Sequence, residues 1–144
     1  MATPRVRDII QRDRPLVGRP DDTICEAAAR MAQHRCGSIL VCEDDRLRGI
    51  FTERDVLTRV VAAGRDPART RLVEVMTPKP DTIEGTEPAA EAVRRMDDGR
   101  FRHLPVLEDD RVLGVISLRD ELFEVLARLR PELDRRHALA ERIW

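Results

Sequence analysis

The stretch GIFTERD at residues 49–55 decides the fold, because it returns as GVISLRD at residues 114–120. The two copies lie 65 positions apart, and other segments repeat at the same offset. Among them, the run EDDR at 43–46 recurs unchanged at 108–111. A repeat that extends over this much of a 144-residue chain indicates that one supersecondary unit occurs twice.

Hydrophobic periodicity predicts the same series of elements in each unit. In the first unit the predicted elements are a helix at 21–34, hairpin strands at 38–41 and 46–51, and a helix at 52–64 closed by Gly64. In the second they are a helix at 86–98, strands at 103–107 and 111–116, and a helix at 118–129. The residues predicted to face inward from the first unit's helices are Ile24, Ala27, Ala28, Met31, Val56, Leu57, Val60 and Val61.

These elements define the predicted architecture. Each unit has the order strand, helix, strand, strand, helix, which predicts an α+β fold of the α/β sandwich type. The units are residues 5–64 and 65–127, joined near GRDPART at 64–70, and a helical tail follows at 128–144. Neither unit is large enough to bury a sufficient core alone, so we expect the two to pack as a pseudo-twofold pair.

Composition argues against several classes of function. Only 3% of the residues are aromatic and the formal net charge is −1, so the chain lacks both a stacking platform and a basic field for nucleic acid. No run of 18 consecutive apolar residues occurs, which argues against a membrane partner. These features predict a soluble, cytoplasmic protein.

The reactive residue types form no recognisable catalytic or metal-binding motif. The three cysteines align with apolar residues of the second unit, so we interpret them as small buried hydrophobic residues. The aligned pairs are Cys25 with Ala90, Cys36 with Phe101, and Cys42 with Leu107. The chain has no G-x-x-x-x-G-K-[ST] phosphate loop and no H-E-x-x-H motif. We therefore expect neither catalysis nor a bound metal.

The repeated phrase has a purely structural interpretation. Thr52 and Ser117 stand where a strand gives way to a helix, and an aspartate follows each three positions later, Asp55 and Asp120. This spacing resembles a capping box, in which hydroxyl and carboxylate accept hydrogen bonds from the first N–H groups of the helix. Gly49 and the glycine of the second copy permit close backbone approach. Capping alone would explain both copies, at about 1 kcal/mol each.

The same residues also fit a ligand site. Backbone N–H groups at a helix start favour a phosphate beside the hydroxyl, and an ionised carboxylate can accept from the two hydroxyls of a ribose. Arg54 and Arg119 adjoin the two aspartates and can neutralise phosphate. The neighbouring strands differ, since one offers Gly37-Ser38 and the other Arg102-His103, so the two clefts should differ in affinity. Arg102 and His103 allow two interpretations: both contact a ligand, or Arg102 is a solvated turn residue and His103 an ordinary strand residue. For Arg100 the solvated turn is the better interpretation.

Several ordered motifs together resemble a known family. The strands GSILV at 37–41 and HLPV at 103–106, the MTP opening at 76–78 and the paired G-h-h-[ST]-x-x-D phrases (h apolar) are similar to tandem cystathionine β-synthase (CBS) domains. The similarity covers about residues 5–127, nearly the whole chain. Such a pair is called a Bateman module.

The resemblance implies a cleft between the units that binds an adenine nucleotide, with AMP, ADP or ATP as the first expectation and NAD or S-adenosylmethionine as alternatives. It assigns ribose and phosphate contacts to Thr52, Asp55, Ser117 and Asp120, and it places the segments Val17–Gly18 and Thr82–Ile83 beside the base. It further implies a homodimer that signals to an effector protein, which the sequence does not identify. We expect a stand-alone sensor, and the alternative is a ligand-independent association module.

The tail allows two interpretations. Leu122, Val125, Leu126 and Leu129 share one helical stripe, and Pro131 is placed to open a second helix. These helices either cover the module's own core or contact a second copy of the chain.

Overall fold

The computed structural model describes residues 4–10, 15–118, 135 and 138–139. The helix predicted at 118–129 and the tail at 128–144 therefore lie outside the described residues, apart from Leu118 and the three isolated tail positions. In this part of the chain the helices are α1 (Val6–Ile9), α2 (Ile24–His34), α3 (Glu53–Asp55), α4 (Leu72–Val75) and α5 (Ala89–Gly99), and a π-helical segment, Val56–Val61, directly follows α3. The strands are β1 (Val17–Gly18), β2 (Ser38–Glu43), β3 (Arg46–Thr52), β4 (Thr77–Pro78), β5 (Ile83–Glu84), β6 (His103–Glu108) and β7 (Arg111–Ser117).

The strands form two sheets of matching order, β1-β2-β3-β4 and β5-β6-β7. In each sheet the first strand runs parallel to the second, and the second and third form an antiparallel hairpin. The predicted order of strand, helix, strand, strand is confirmed in both units. The first sheet gains an extra strand, because β4 from the second unit pairs with β3.

The two hairpins have the same geometry. Ser38 pairs with Thr52 in the first, and His103 pairs with Ser117 in the second. Every turn residue has a left-handed φ between 51° and 62°, as the two central residues of a type I′ hairpin turn require. Aspartate is among the residues that adopt this region most readily, which explains the EDDR run at each turn. The turn residues are Asp44, Asp45, Asp109 and Asp110.

Each unit has its own hydrophobic core, but the short helices are exchanged between the two cores. Val6 of α1 is fully buried in the core of the second unit, and Leu72 and Val75 of α4 belong to the core of the first. Backbone hydrogen bonds fix the exchange: the N–H of Val6 donates to Glu87 O, and that of Leu72 donates to Asp22 O, both at 2.9 Å. Each unit therefore completes its core with residues from the other.

The helix predicted at 52–64 is present but differs in its second part. There it is π-helical, and the carbonyl of Leu57 accepts a 2.9 Å hydrogen bond from the residue five positions on. A π turn holds more residues than an α turn, so side chains rotate away from the α-helical stripe. Val60 is buried, whereas Leu57 and Val61 are 62% and 64% exposed. The prediction that Leu57 and Val61 face inward is wrong.

The cysteines are more exposed than their apolar counterparts suggested. Cys25 and Cys36 are exposed and Cys42 is partly buried, so the interpretation as buried hydrophobic residues is wrong. Cys25 follows the inward-facing Ile24 in the first turn of α2, and an adjacent helical position faces away from the core. Among the described residues no group of three or more His, Cys, Asp or Glu is placed to hold a metal ion. No helix in this part of the chain is both long and apolar enough to cross a membrane.

Candidate ligand-binding site

The first copy of the repeated phrase forms a closed capping box. The N–H of Thr52 donates to Oδ2 of Asp55 at 2.9 Å, and the N–H of Asp55 donates to Oγ1 of Thr52 at 3.3 Å. The Thr52 hydroxyl also donates to Oδ2 at 3.1 Å, while Nε of Arg59 lies 3.5 Å from Oδ1. In the second copy Ser117 ends β7, and Arg119 and Asp120 lie outside the described residues.

A cavity of about 840 Å³ opens beside this box and is lined by both units. The first unit supplies residues of β3 and of the helix that follows it. The second supplies the loop after β4 and the loop between α5 and β6. The volume is in the range of small-molecule sites. The lining residues are Ile50, Thr52, Glu53, Arg54, Asp55, Leu57, Thr77, Lys79, Pro80, Asp81, Arg100, Phe101, Arg102 and His103.

The cavity brings together predicted site residues that are far apart in sequence. Thr52, Arg54 and Asp55 come from the first unit, and Arg102 and His103 from the second. Arg100, which the sequence placed in a solvated turn, is exposed and also lines the cavity. The geometry thus joins the T-x-x-D box of one unit to the Arg-His strand start of the other.

Other predicted contacts lie elsewhere. Ser38 is largely buried opposite Thr52 in the hairpin and does not line the large cavity. Val17 and Gly18 line a separate cavity of about 570 Å³. There burial raises the pKa of the neighbouring Cys42 thiol, and the charge of Asp45 adds to that shift.

The segment Thr82–Ile83 also stands outside the cavity lining. The side chain of Ile83 is only 1% exposed, because β5 directs it into the core of the second unit. The carbonyl of Thr82 accepts a 2.7 Å hydrogen bond from Nη1 of Arg95. The structure therefore shows the side chains of β1 and β5 away from the large cavity.

Sequence reasoning missed the loop after β4, which supplies Lys79, Pro80 and Asp81 to the cavity. This loop reaches β3 because Gly49 pairs with Pro78. A Cβ on Gly49 would lie 2.9 Å from the carbonyl oxygen of Thr77, so only glycine allows the approach. The repeated glycine was the available signal, and it indicated a close neighbour without identifying which segment that neighbour was.

The two units also touch at Gly37 and His103. A Cβ at position 37 would lie 3.0 Å from Nε2 of His103 and 3.4 Å from Oε1 of Glu53. The carbonyl of Gly37 accepts a 3.0 Å hydrogen bond from the N–H of Glu53. The imidazole of the second unit therefore packs against the segment that leads into the first unit's capping box.

An arginine network on α5 holds the loop that follows Lys79. Arg95 donates to the Thr82 carbonyl, to Glu87 at 2.9 Å and to Glu91 at 3.0 Å. The hydrogen bond from Arg94 is the largest cause that lowers the pKa of the Glu91 carboxyl to about 2; burial opposes it, and the hydrogen bond from Arg95 adds to the lowering. The ionised network ties α5 to the start of β5, next to the cavity wall.

Comparison with known proteins identifies the family. The family model described as the CBS domain matches residues 6–62 and 72–120. The chain therefore belongs to the CBS domain family and contains two CBS domains in tandem. Each matched range contains one copy of the repeated phrase and one of the two antiparallel hairpins.

Individual relatives are consistent with this assignment. The chain is 35% identical over 127 residues to the CBS domain-containing protein CBSCBSPB2 of Arabidopsis thaliana, covering 85% of this chain and 24% of that protein. Across three such relatives it spans between 13% and 24% of their length.

Solved structures share the fold. A CBS-domain-containing protein from Agrobacterium tumefaciens is 30% identical, with a TM-score of 0.74 over 86% of this chain and 98% of that one. A CBS domain protein from Pyrobaculum aerophilum, solved in complex with AMP, is 26% identical, with a TM-score of 0.79 over 88% of this chain and 98% of that one.

Proposed function

We propose that the cavity beside the capping box binds an adenine nucleotide or a related adenosyl ligand, and that the chain acts as a cytoplasmic regulatory sensor rather than an enzyme. One observation carries the proposal: a single cavity of about 840 Å³ is lined by Thr52 and Asp55 of one CBS domain and by Arg102 and His103 of the other. A ligand in this cavity would contact both domains at once.

The side chains divide into two chemical roles. Asp55 accepts from the ribose hydroxyls, and Thr52, Arg54, Arg102 and His103 contact phosphate. Oδ2 of Asp55 already accepts two hydrogen bonds from Thr52, but a carboxylate has about four acceptor positions. Among the described residues, Oδ1 has only the 3.5 Å contact with Nε of Arg59, so it can accept a ribose hydroxyl without opening the box.

The second copy of the phrase extends the proposal to a second site. Ser117 occupies the same hairpin position as Thr52, two and three positions before Arg119 and Asp120. By the symmetry of the repeat, the other CBS domain would contribute Gly37-Ser38 to this site instead of Arg102-His103, so the second site has fewer cations from the opposite domain. We expect weaker binding of phosphate there.

A solved relative supports the ligand class, because the Pyrobaculum aerophilum protein was solved with AMP. NAD and S-adenosylmethionine share the adenosyl group and are alternative ligands. In a sensor, the ligand must bind one arrangement of the two domains better than another. A homodimer would then present that arrangement to an effector protein.

The test is a thermal-shift panel with AMP, ADP, ATP, NAD and S-adenosylmethionine, on protein shown to be free of bound nucleotide. A ligand at about 100 times its dissociation constant stabilises the fold by roughly 2.7 kcal/mol, which raises the melting temperature by several degrees. The shift should decrease in Asp55→Ala and disappear in the Asp55→Ala, Asp120→Ala double variant.

Glu26→Ala is the matched control. Glu26 closes an equivalent box with Thr23, with both hydrogen bonds at 3.2 Å, but it lies outside the cavity. This variant loses a cap and should keep the full ligand shift. The proposal fails if no adenosyl ligand stabilises the wild-type protein.

The alternative, a ligand-independent association module, is favoured by one observation. Leu57 and Val61 are exposed and lie four positions apart on the π-helical segment, where they form a small apolar face. Under this alternative, a second copy of the chain covers that face. Sedimentation of Leu57→Glu and Val61→Glu, with the exposed Ala63→Glu as control, would then show loss of a dimer that forms without ligand.

A further inference from the structure

Lys79 is the only lysine in the chain, and its backbone conformation is unusual. Its φ is 45°, in the left-handed region that few residues other than glycine adopt. It also stands between Pro78 and Pro80, and a following proline restricts the backbone further. Such a conformation is energetically unfavourable, and it persists only where the surroundings hold it.

The neighbouring strand holds Lys79 in this conformation. Its N–H donates to the carbonyl of Arg48 at 3.0 Å, and β4, directly before it, pairs with β3 at Gly49 and Ile50. The result is an exposed lysine in the wall of the 840 Å³ cavity. The strained turn thus fixes the Cα of Lys79 beside the proposed nucleotide site, while its cationic side chain stays flexible.

The charges that line the cavity come from separate segments. Arg54 follows β3, Lys79 follows β4, and Arg100 and Arg102 lie between α5 and β6. Among the described residues, none of these four cations takes part in an ion pair. Cationic character is concentrated here although the whole chain has a net charge of −1.

Acidic residues only partly offset these cations. The acids in the lining are Glu53, Asp55 and Asp81. The charge of Asp55 is already balanced by Arg59, which does not line the cavity. The lining therefore retains an excess of positive charge, which favours an anionic ligand.

We infer that Lys79 is a specificity-determining residue, through which this cavity selects adenosine polyphosphates over the monophosphate and over cationic adenosyl ligands. The inference rests on the proposed function and names the ligand class for that site. The first phosphate contacts Arg54, Arg102 and His103, and each further phosphoryl group adds negative charge that requires another cation. A lysine ammonium is a compact, mobile point charge, which suits a terminal phosphate of variable position.

Calorimetric titration of the full chain with adenosine, AMP, ADP, ATP and S-adenosylmethionine, in magnesium-free buffer, tests the inference. ADP and ATP should bind about tenfold more tightly than AMP, as one added charge-assisted contact implies. In Lys79→Gln this ratio should fall toward one while AMP affinity stays nearly unchanged. Lys79→Arg, which keeps the charge, should retain most of the preference.

Arg46→Gln is the matched control for loss of one positive charge. Arg46 is exposed at the opposite end of β3 from Thr52, about 20 Å away along the strand. This separation exceeds the screening length of about 8 Å at physiological salt, so the polyphosphate preference should persist in this variant. A loss of preference in Arg46→Gln equal to that in Lys79→Gln would overturn the inference.

A single lysine also allows a direct spectroscopic readout. Reductive methylation with ¹³C-formaldehyde keeps the positive charge and labels one lysine side chain, and the α-amino group is distinguished by its lower pKa. ADP and ATP should shift the lysine signal much more than AMP does. Equal affinity for AMP and ATP with an unmoved lysine signal would overturn the inference and leave the proposed function intact. Absence of binding by every adenosyl ligand would overturn both.

Discussion

The imidazole of His103 packs against Gly37 so closely that a Cβ at position 37 would lie 3.0 Å from Nε2. Gly37 also accepts the hydrogen bond of Glu53, the first residue of α3. One small residue thus lets a side chain of the second CBS domain reach the backbone that carries the capping box of the first. The contact lies at the wall of the cavity, where both domains contribute.

Gly37→Ala should therefore displace the imidazole and lower ligand affinity, because His103 lines the cavity. A methyl group at this distance requires its neighbours to shift by a few tenths of an ångström. A double-mutant cycle measures the effect by calorimetry: in a His103→Ala background, Gly37→Ala should have little further effect on affinity. Additive losses of affinity would show that the two residues are not coupled.

Thr52→Ala should destabilise the fold by about 1 kcal/mol, since it removes the oxygen that accepts the Asp55 N–H. Urea denaturation would measure this loss. Thr52→Ser should keep the hydrogen bond and most of the stability. Thr23→Ala, which breaks the equivalent box on α2, should cost a similar amount without changing ligand affinity. Stability unchanged in Thr52→Ala would contradict a formed cap.

Glu91 should make the free energy of unfolding depend on pH in the acid range. Its pKa is lowered to about 2 in the folded chain, chiefly by the hydrogen bond from Arg94. A carboxyl whose pKa is depressed on folding stabilises the native state above its unfolded pKa of about 4.3, and that contribution is lost as pH falls toward 2. Partial exposure makes the effect modest.

The measurement is urea stability between neutral pH and pH 2 for wild type and Glu91→Gln. The wild type should be the more stable at neutral pH, and the two curves should converge as the pH falls from about 4.5 toward 2. Curves that stay parallel throughout this range would rule out the contribution of Glu91.

Leu72→Ala should loosen the first CBS domain, although Leu72 belongs to the second repeat. Its side chain is fully buried in the first core, and a cavity there costs about 2–5 kcal/mol. Relative to the wild type, hydrogen exchange should speed up more in β2 and β3 than in β6 and β7. Val73→Ala, at the half-exposed neighbouring residue, should change the exchange rates of neither hairpin. Preferential loss of protection in the second hairpin would contradict the exchange of helices.

Local features were predictable because they depend on residues close in sequence. The hairpins follow from short apolar strands on either side of EDDR, and the boxes at Thr52 and Thr23 follow from a hydroxyl and a carboxylate three positions apart. The order of elements follows from the repeat, since each unit carries the same periodicity.

The remaining features depend on which copy packs against which. A duplicated sequence shows what each unit contains, but it does not show that Val6 completes the second core or that β4 joins the first sheet. Lys79 lines the cavity because β4, directly before it, pairs with β3. The π-helical rotation of Leu57 was equally hidden, because its sequence pattern is that of an ordinary amphipathic helix.

The exchange of α1 and α4 has a consequence for how the chain can be divided. If the backbone were cleaved between residues 64 and 70, the first fragment would still hold α1, which fills the second core, and the second fragment would hold α4, which fills the first. Each fragment would lack a core helix that the other supplies, so we expect the two to reassemble without a covalent link. By the same complementarity, we expect the halves of related chains to exchange partners, and each such pair would form a cavity from a new combination of lining residues.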